Sequence, residues 1–178
     1  MSIPRRIKPK VLGDYLEIMT VAIFQAGLSW AVVENKWPAF RRAFNNFDCR
    51  KVAAFTSADI DRLASDESIL RSRKKIAATV ENARMMLDLE QEYGSFADYL
   101  HSFPSYEKLS ADMRKRFKFF GELSVYYFLF RVGEPVPPFP SWVETIAGEH
   151  PRMKEMVELA EKEEGTGGRG EGRKAGKS

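Results

Sequence analysis

Apolar residues along the chain recur every three or four positions, a spacing that predicts helices. Two clear examples lie on either side of residues 24–30. The first contains Leu16, Met19 and Ile23, and the second contains Val33, Trp37 and Phe40. No stretch shows the alternating pattern of a strand flanked by turn pairs. We therefore predict an all-α fold, a compact helical bundle.

Residues 24–30, Phe-Gln-Ala-Gly-Leu-Ser-Trp, separate these two helical patterns, and we call them the elbow. Gly27 can adopt the left-handed conformation that ends a helix, and Ser29 can cap the next helix. The segment therefore predicts a helix-helix junction. Leu28 and Trp30 both lie on its tight turn.

Capping residues and glycines mark further helices along the chain. Asn45 and Asn46 predict a break, Thr56 with Asp59 forms a variant capping box, and Gly94 is placed to end a long helix. The helices expected from these signals cover residues 48–55, 56–65, 76–93, 95–100, 122–132, 142–147 and 151–163. The proline-rich residues 134–140 are expected to be extended.

Composition predicts one helical domain with two basic extensions. The chain has 178 residues, 44% of them hydrophobic, which is enough for one core. Prolines and basic residues make 1–11 a basic N-terminal arm, and we expect 12–163 to form a single all-helical domain. Residues 164–178 are rich in Gly, Lys and Arg and are expected to be disordered.

The same composition disfavours several classes of protein. The single cysteine, Cys49, excludes an internal disulfide framework, and no apolar run is long enough to span a membrane. Without a signal-peptide pattern, we expect a cytoplasmic protein.

His101 and His150 have no second ligand at helical spacing, so no metal and no cofactor is predicted. No arrangement of residues resembles a nucleophile elbow.

The positive signal is a basic and aromatic segment, residues 114–121, between two predicted helices. A glycine-containing turn at a helix N-terminus exposes backbone N–H groups that bind phosphate, and Lys118 and Gly121 fit that geometry. A second basic cluster, residues 71–75, could bind further phosphates along the backbone of the same DNA. Each cluster taken alone is more typical of a solvated helix face. The glycine-bearing hairpin makes the two interpretations comparable.

Four blocks of sequence, in the same order, resemble the 3-methyladenine DNA glycosylase I family. They are the elbow, residues 47–54, residues 69–84 and residues 115–121. The resemblance covers roughly 15–133. It implies a compact all-helical member of the helix-hairpin-helix glycosylases, enzymes that remove alkylated adenine from DNA in base-excision repair.

The resemblance implies roles for individual residues. Leu28 matches the wedge that enters the duplex, and Trp30 matches the aromatic residue that stacks on the extruded base. A base made cationic by N3-methylation would gain about 0.5–2 kcal/mol from this stacking. Phe24 and Tyr15 are further candidates for the base pocket. The candidate DNA contacts are Gly27, Leu28, Arg73, Lys74, Arg116, Lys118, Phe119 and Gly121.

The chain departs from the family pattern at three places. Counting back from Trp30, the family's base-recognising Glu falls at Ala22, and Glu17 is half a turn off that face. The zinc ligands of the typical enzyme have no counterparts, and the basic arm stands where the N-terminal ligands would be. Arg116 replaces the first glycine of the hairpin.

Two functions remain open at this stage. The favoured one is a monofunctional glycosylase, a monomer that extrudes and hydrolyses alkylated purines of the 3-methyladenine type from double-stranded DNA. Its catalytic residue is not assigned, and no lysine nucleophile for strand cleavage is indicated. The alternative is a catalytically inactive DNA-binding relative. An unrelated helical interaction protein would require four ordered blocks to match by chance.

Overall fold

The computed structural model describes residues 5–26, 28–146, 158 and 162. Within this part the secondary structure is helical and contains no strand, which confirms the predicted all-α fold. None of the described helices is long and apolar enough to cross a bilayer. The helices are α1 Leu12–Gln25, α2 Trp30–Ala43, α3 Cys49–Ala53, α4 Ser57–Ala64, α5 Arg73–Tyr93, α6 Phe96–His101, α7 Tyr106–Arg116, α8 Glu122–Arg131 and α9 Phe139–Val143.

The chain divides into two compact units. The larger is Ile7–Val136, which holds α1 to α8, and the second comprises Met1–Arg6 and Pro137–Ser178. Within the second unit, the rings of Phe139 and Trp142 in α9 lie 6.0 Å apart. The tail predicted for 164–178 lies outside the described residues, as does nearly all of the helix predicted for 151–163. The single domain predicted for 12–163 stays a prediction.

Polar caps set most of the helix boundaries. Ser29 Oγ accepts a hydrogen bond from Val32 N, and Thr56 and Asp59 form the predicted reciprocal capping box. Gly94 and Gly133 follow α5 and α8 with positive φ of 91° and 79°, where a side chain would be strained. These predicted helix ends are confirmed. Gly27 lies outside the described residues.

Two helix boundaries differ from the sequence prediction. Helix α5 begins at Arg73, three residues before the predicted start, because Ser72 Oγ accepts from Lys75 N. Helix α9 covers Phe139–Val143, so the extended segment ends at Pro138 and the helix predicted from Trp142 starts earlier. Pro140 sits in the first turn of α9, where a helix needs no N–H from it.

Helix α1 is the buried centre of the larger unit and packs against α2, α3, α5 and α8. Its buried residues are Leu16, Ile18, Met19, Thr20, Val21, Ala22, Ile23 and Phe24. Fully burying each large apolar side chain contributes about 1.5–3 kcal/mol. The elbow is therefore attached to a largely buried helix.

The start of α1 is fixed by a close backbone contact. A Cβ atom at Gly13 would overlap the carbonyl oxygen of Phe47, so only glycine fits there. Asn45, Asn46 and Phe47 form a short 3₁₀ turn in which all three residues have positive φ. This turn is the break predicted after α2. It brings the backbone of Phe47 against the first turn of α1.

Candidate nucleic-acid interface

The elbow presents apolar side chains at the surface. After α1 ends at Gln25, Leu28 N donates to Gln25 O at 2.8 Å, and Ser29 caps α2. Leu28 is 36% exposed and Val32, one turn further along, is 42% exposed. Leu28 is therefore an exposed apolar side chain on the elbow.

Trp30 is half-buried and already carries a cation against its ring. The guanidinium carbon of Arg131 lies 5.8 Å from the ring centroid. Arg131 Nη1 also donates to the hydroxyl oxygen of Tyr127 at 3.0 Å. Burial raises the pKa of Tyr127 to about 12, so this hydroxyl is neutral and holds the guanidinium in place. Trp30 thus lies in surroundings suited to cation-π stacking.

Phe24, the first residue of the elbow, is covered by its neighbours. It is buried, and its ring meets Phe40 edge-to-face at a centroid distance of 4.7 Å. Lys75 Nζ lies 5.9 Å from the centroid of the Phe24 ring. Burial lowers the pKa of the Lys75 ammonium. Phe24 therefore supports the elbow and connects it to the first turn of α5.

Tyr15 does not lie beside the elbow. Its ring packs against Phe96 at 4.8 Å and Phe128 at 6.3 Å. Burial raises the pKa of its hydroxyl, with smaller contributions from Glu134 and Asp14. Nine residues of α1 separate it from Phe24, about 13 Å along the helix axis at 1.5 Å per residue. Phe24 is part of the elbow, whereas Tyr15 lies near the other end of α1.

Neither of the positions considered for a recognition carboxylate offers one to the elbow. Ala22 is buried, and Glu17 is engaged by α2. Glu17 Oε1 accepts from Trp37 Nε1 at 2.9 Å and from Arg41 Nε at 2.7 Å. These contacts fix the crossing of α1 and α2. Glu17 is therefore a structural residue in this conformation.

Residues 117–121, which connect α7 to α8, form the hairpin. Phe117 and Phe120 are buried, with ring centroids 5.9 Å apart, and anchor it in the core. Lys118 and Phe119 lie between them and point outward. Phe119 is 54% exposed with φ of 52°, a conformation that is unusual for a residue with a side chain. The two anchors thus force an aromatic and a basic side chain to the surface.

Asn82 holds the hairpin to α5 through two hydrogen bonds. Asn82 Nδ2 donates to Lys118 O at 3.1 Å, and Lys118 N donates to Asn82 Oδ1 at 2.8 Å. Asn82 is fully buried, so both bonds are shielded from water. The sequence alone assigns no role to Asn82. The sequence does contain one signal for such a role: Asn82 is a polar residue among the apolar residues of the buried face of α5. A polar group in that position needs hydrogen-bond partners.

The N-terminus of α8 is open towards solvent. Gly121 is its N-terminal flanking residue, with no side chain to bond the first N–H groups. A Cβ placed on Gly121 would meet nothing within 4 Å. The nearby carboxylate of Glu122 is paired with Arg114 at 3.1 Å. The backbone N–H groups here have the orientation that binds phosphate at helix N-termini.

The basic residues of the interface fall into two groups. Arg73 forms an ion pair with Asp61, and Arg116 Nε donates to Asp112 Oδ2 at 2.8 Å. Lys74 and Lys118 are exposed, and neither forms an ion pair with a described residue. The first turn of α5 also contains no acidic residue. The positive end of the helix dipole lies at the N-terminus and is unfavourable for cations. A bound anion such as phosphate would therefore be favourable at this turn.

Helix α5 sets the spacing between the elbow and the hairpin. Lys75 contacts Phe24 of the elbow, and Asn82 bonds Lys118 of the hairpin. These two positions of α5 are seven residues apart, about 10 Å along the axis. One helix therefore positions both candidate contact elements.

No group of three or more His, Cys, Asp or Glu side chains suited to a metal ion occurs among the described residues. His101 Nε2 lies 2.9 Å from Glu134 Oε2. Cys49 Sγ donates to Ala83 O, and burial raises the pKa of its thiol to about 12. Both residues thus have structural partners within the fold.

The chain is similar in sequence and in structure to known proteins. The methyladenine glycosylase family profile matches residues 13–112. DNA-3-methyladenine glycosylase 1 of Escherichia coli is 43% identical over 83 residues, covering 47% of this chain and 44% of that protein. DNA-3-methyladenine glycosylase of Haemophilus influenzae is 33% identical over 130 residues, 61% of this chain and 70% of that protein. The chain thus matches less than half the length of the first relative.

Solved structures agree with the sequence comparison. One is a Tyr→Phe variant of 3-methyladenine DNA glycosylase I in complex with 3-methyladenine. It superposes with a TM-score of 0.63 at 31% identity, covering 71% of this chain and 80% of that one. The matched residues 13–112 include the elbow, α1 without Leu12, α2 to α6 and most of α7. The chain belongs to the methyladenine glycosylase family.

Proposed function

We propose that this protein is a monofunctional DNA glycosylase that extrudes an alkylated purine of the 3-methyladenine type and hydrolyses its N-glycosidic bond. The observation that carries the proposal is that α5 contacts both the elbow and the hairpin. Lys75 lies against the elbow, and Asn82 holds the hairpin two turns away. An elbow with an exposed Leu28 beside Trp30 has an obvious use only if a base leaves the stack.

The hairpin and the first turn of α5 would hold the DNA backbone. Lys118, Lys74 and the N–H groups after Gly121 are suited to phosphate. Arg73 and Arg116 can add to this binding, although their side chains are paired with Asp61 and Asp112. Phe119 would contact sugar or base edges beside them. These contacts carry no sequence information, as expected of an enzyme that searches for lesions.

The elbow would perform the base extrusion. Leu28 fills the space left in the duplex, and the extruded base stacks on Trp30. Alkylation at N3 makes the purine cationic, so stacking on an indole gains about 0.5–2 kcal/mol relative to a neutral base. The same charge weakens the glycosidic bond. A water molecule can then displace the neutral base, with less need for acid catalysis than a normal purine would require.

A second candidate function is a DNA-binding relative without catalytic activity. The observation in its favour is Ala22, which occupies the position where the family resemblance places the base-recognising Glu. Because Glu17 is held by Trp37 and Arg41, it is not available as a substitute. The hairpin and the basic residues would serve such a protein equally well. Only the chemistry separates the two functions.

The test is an assay of base release. The protein is incubated with duplex DNA methylated by dimethyl sulfate, and the released bases are separated by chromatography. The glycosylase proposal predicts free 3-methyladenine and an equal amount of abasic sites without strand cleavage. The inactive-relative proposal predicts no release, together with duplex binding that is weakened by Lys118→Glu. Glu107→Lys, an exposed charge reversal on α7 away from the hairpin, is the control for that variant.

A further inference from the structure

The side chain of Gln25, the last residue of α1, contains a polar atom that is buried without a hydrogen-bond partner. No described residue donates to Gln25 Oε1. A buried acceptor without a donor costs about 1–3 kcal/mol, so such atoms are rare in native proteins. An unpartnered acceptor beside a candidate binding site is a place where a ligand can supply the missing donor.

Gln25 lies on the side of α1 that faces α8. It follows Ala22 by one turn and Tyr15 by ten residues, so all three share one side of the helix. Tyr15 contacts Phe128 of α8, which shows where this side is directed. Trp30 meets Arg131 at the end of α8. Gln25 is therefore near the region in which a base stacked on Trp30 would lie.

The chemistry of the amide fits adenine. A Gln side chain presents an acceptor and a donor side by side, the arrangement that pairs with the N6 amino group and N7 of adenine. In 3-methyladenine both of these groups are unchanged. In 7-methylguanine, position 6 carries an oxygen acceptor and N7 is methylated, so neither bond can form. Ala22, one turn away, adds no polar group that competes with Gln25.

We infer that Gln25 is a specificity-determining residue that reads the N6–N7 edge of the extruded purine. Its Oε1 atom accepts from the N6 amino group, and its Nε2 atom donates to N7. This inference rests on the proposed function. It explains how a chain with Ala22 in place of the expected carboxylate can still distinguish alkylated adenine from alkylated guanine.

The experiment compares Gln25→Leu and Gln25→Glu with the full-length wild-type protein on dimethyl sulfate-treated duplex DNA. The control is Gln91→Leu, which changes the exposed glutamine of α5. Gln25→Leu is expected to lower kcat/KM for 3-methyladenine release by about 10- to 100-fold and to leave duplex affinity unchanged. Gln25→Glu is expected to retain more activity than Gln25→Leu, because its carboxylate still accepts from the N6 amino group.

Two further readouts separate recognition from a structural role. Gln25→Leu should weaken binding of free 3-methyladenine about tenfold, measured by tryptophan fluorescence. Its Tm should equal or exceed that of the wild type, because leucine removes an unpartnered buried amide. Wild-type 3-methyladenine release by Gln25→Leu, or a lowered Tm as its only effect, would overturn the role of Gln25. A wild-type protein that releases neither base contradicts the proposed function itself.

Discussion

At the scale of single residues, the interface combines side chains that are unfavourable for stability. Phe119 has a positive φ, Leu28 is exposed, and Gln25 has a buried atom without a partner. Lys75 is half-buried at a helix N-terminus, where the dipole opposes its charge. Such departures from a favourable sequence concentrate at functional sites, because binding rather than folding has selected the residue.

Lys75→Met tests this trade-off between stability and binding. The variant should be more stable by about 0.5 kcal/mol at neutral pH, because it removes a cation from the first turn of α5. Burial lowers the pKa of Lys75, so the unfolded chain binds the proton more tightly. The destabilising effect is therefore complete below the folded-state pKa and disappears as the pH rises towards about 10.4.

Thermal unfolding at several pH values measures this effect. The Tm advantage of Lys75→Met should shrink as the pH rises through that range, while its duplex affinity falls at neutral pH. Lys74→Met is the control, because Lys74 is exposed on the same turn and lacks the contact with Phe24. A loss of stability in Lys75→Met would contradict the account of its burial.

At the scale of elements, α5 joins the two parts of the interface. Its first turn contacts the elbow, and Asn82 in its middle bonds the hairpin. On its other side, Arg84 Nε and Nη2 donate to the carbonyl oxygens of Ala53 and Phe55, at 2.8 and 2.9 Å. Because a helix is stiff, the spacing of elbow and hairpin is set by the fold itself.

Asn82→Ala should release the hairpin. Two buried hydrogen bonds to Lys118 are lost, which should lower the free energy of unfolding by about 1–3 kcal/mol and weaken duplex binding. The matched control is Val80→Ala, which opens a cavity in the same helix at a comparable cost but leaves the hairpin bonds intact. Chemical denaturation and duplex titration of both variants check this. Equal duplex affinities in the two variants would refute the positioning role of Asn82.

The elements were largely predictable from sequence, whereas the site was predictable only in part. Ser29, Thr56 and Gly94 act through their nearest neighbours, so the helix ends they set follow from local signals. The contact between Asn82 and Lys118 joins residues that are 36 positions apart, so no local sequence pattern predicts it. Likewise, the distance of Tyr15 from the elbow depends on the packing of α1 as a whole.

At the scale of the whole molecule, the formal net charge is only +3, so the position of each charge matters more than the total. Cations at the hairpin and at the start of α5 differ in their partners. Lys118 and Lys74 form no ion pair with a described residue, whereas Arg116 is held by Asp112, which also accepts from the Tyr99 hydroxyl. DNA binding should therefore depend unequally on these residues.

The salt dependence of duplex binding tests this difference. Lys118→Gln should reduce the slope of log K against log salt concentration by about one, because one phosphate contact is lost. Arg116→Gln should change the slope less and lower Tm more, because it breaks the pairing with Asp112 at 2.8 Å. Identical slopes for the two variants would show that the Arg116 pair opens when DNA binds.

The most direct test of the central claim is the release of 3-methyladenine by Leu28→Ala, measured alongside its affinity for undamaged duplex DNA. If Leu28 enters the duplex as the base is extruded, the variant should lose about 10- to 100-fold in single-turnover release, with affinity for undamaged duplex changed by less than about threefold. Val32→Ala, an exposed apolar neighbour in α2, is the control and should retain release. Equal losses of release and binding in Leu28→Ala would contradict intercalation by the elbow.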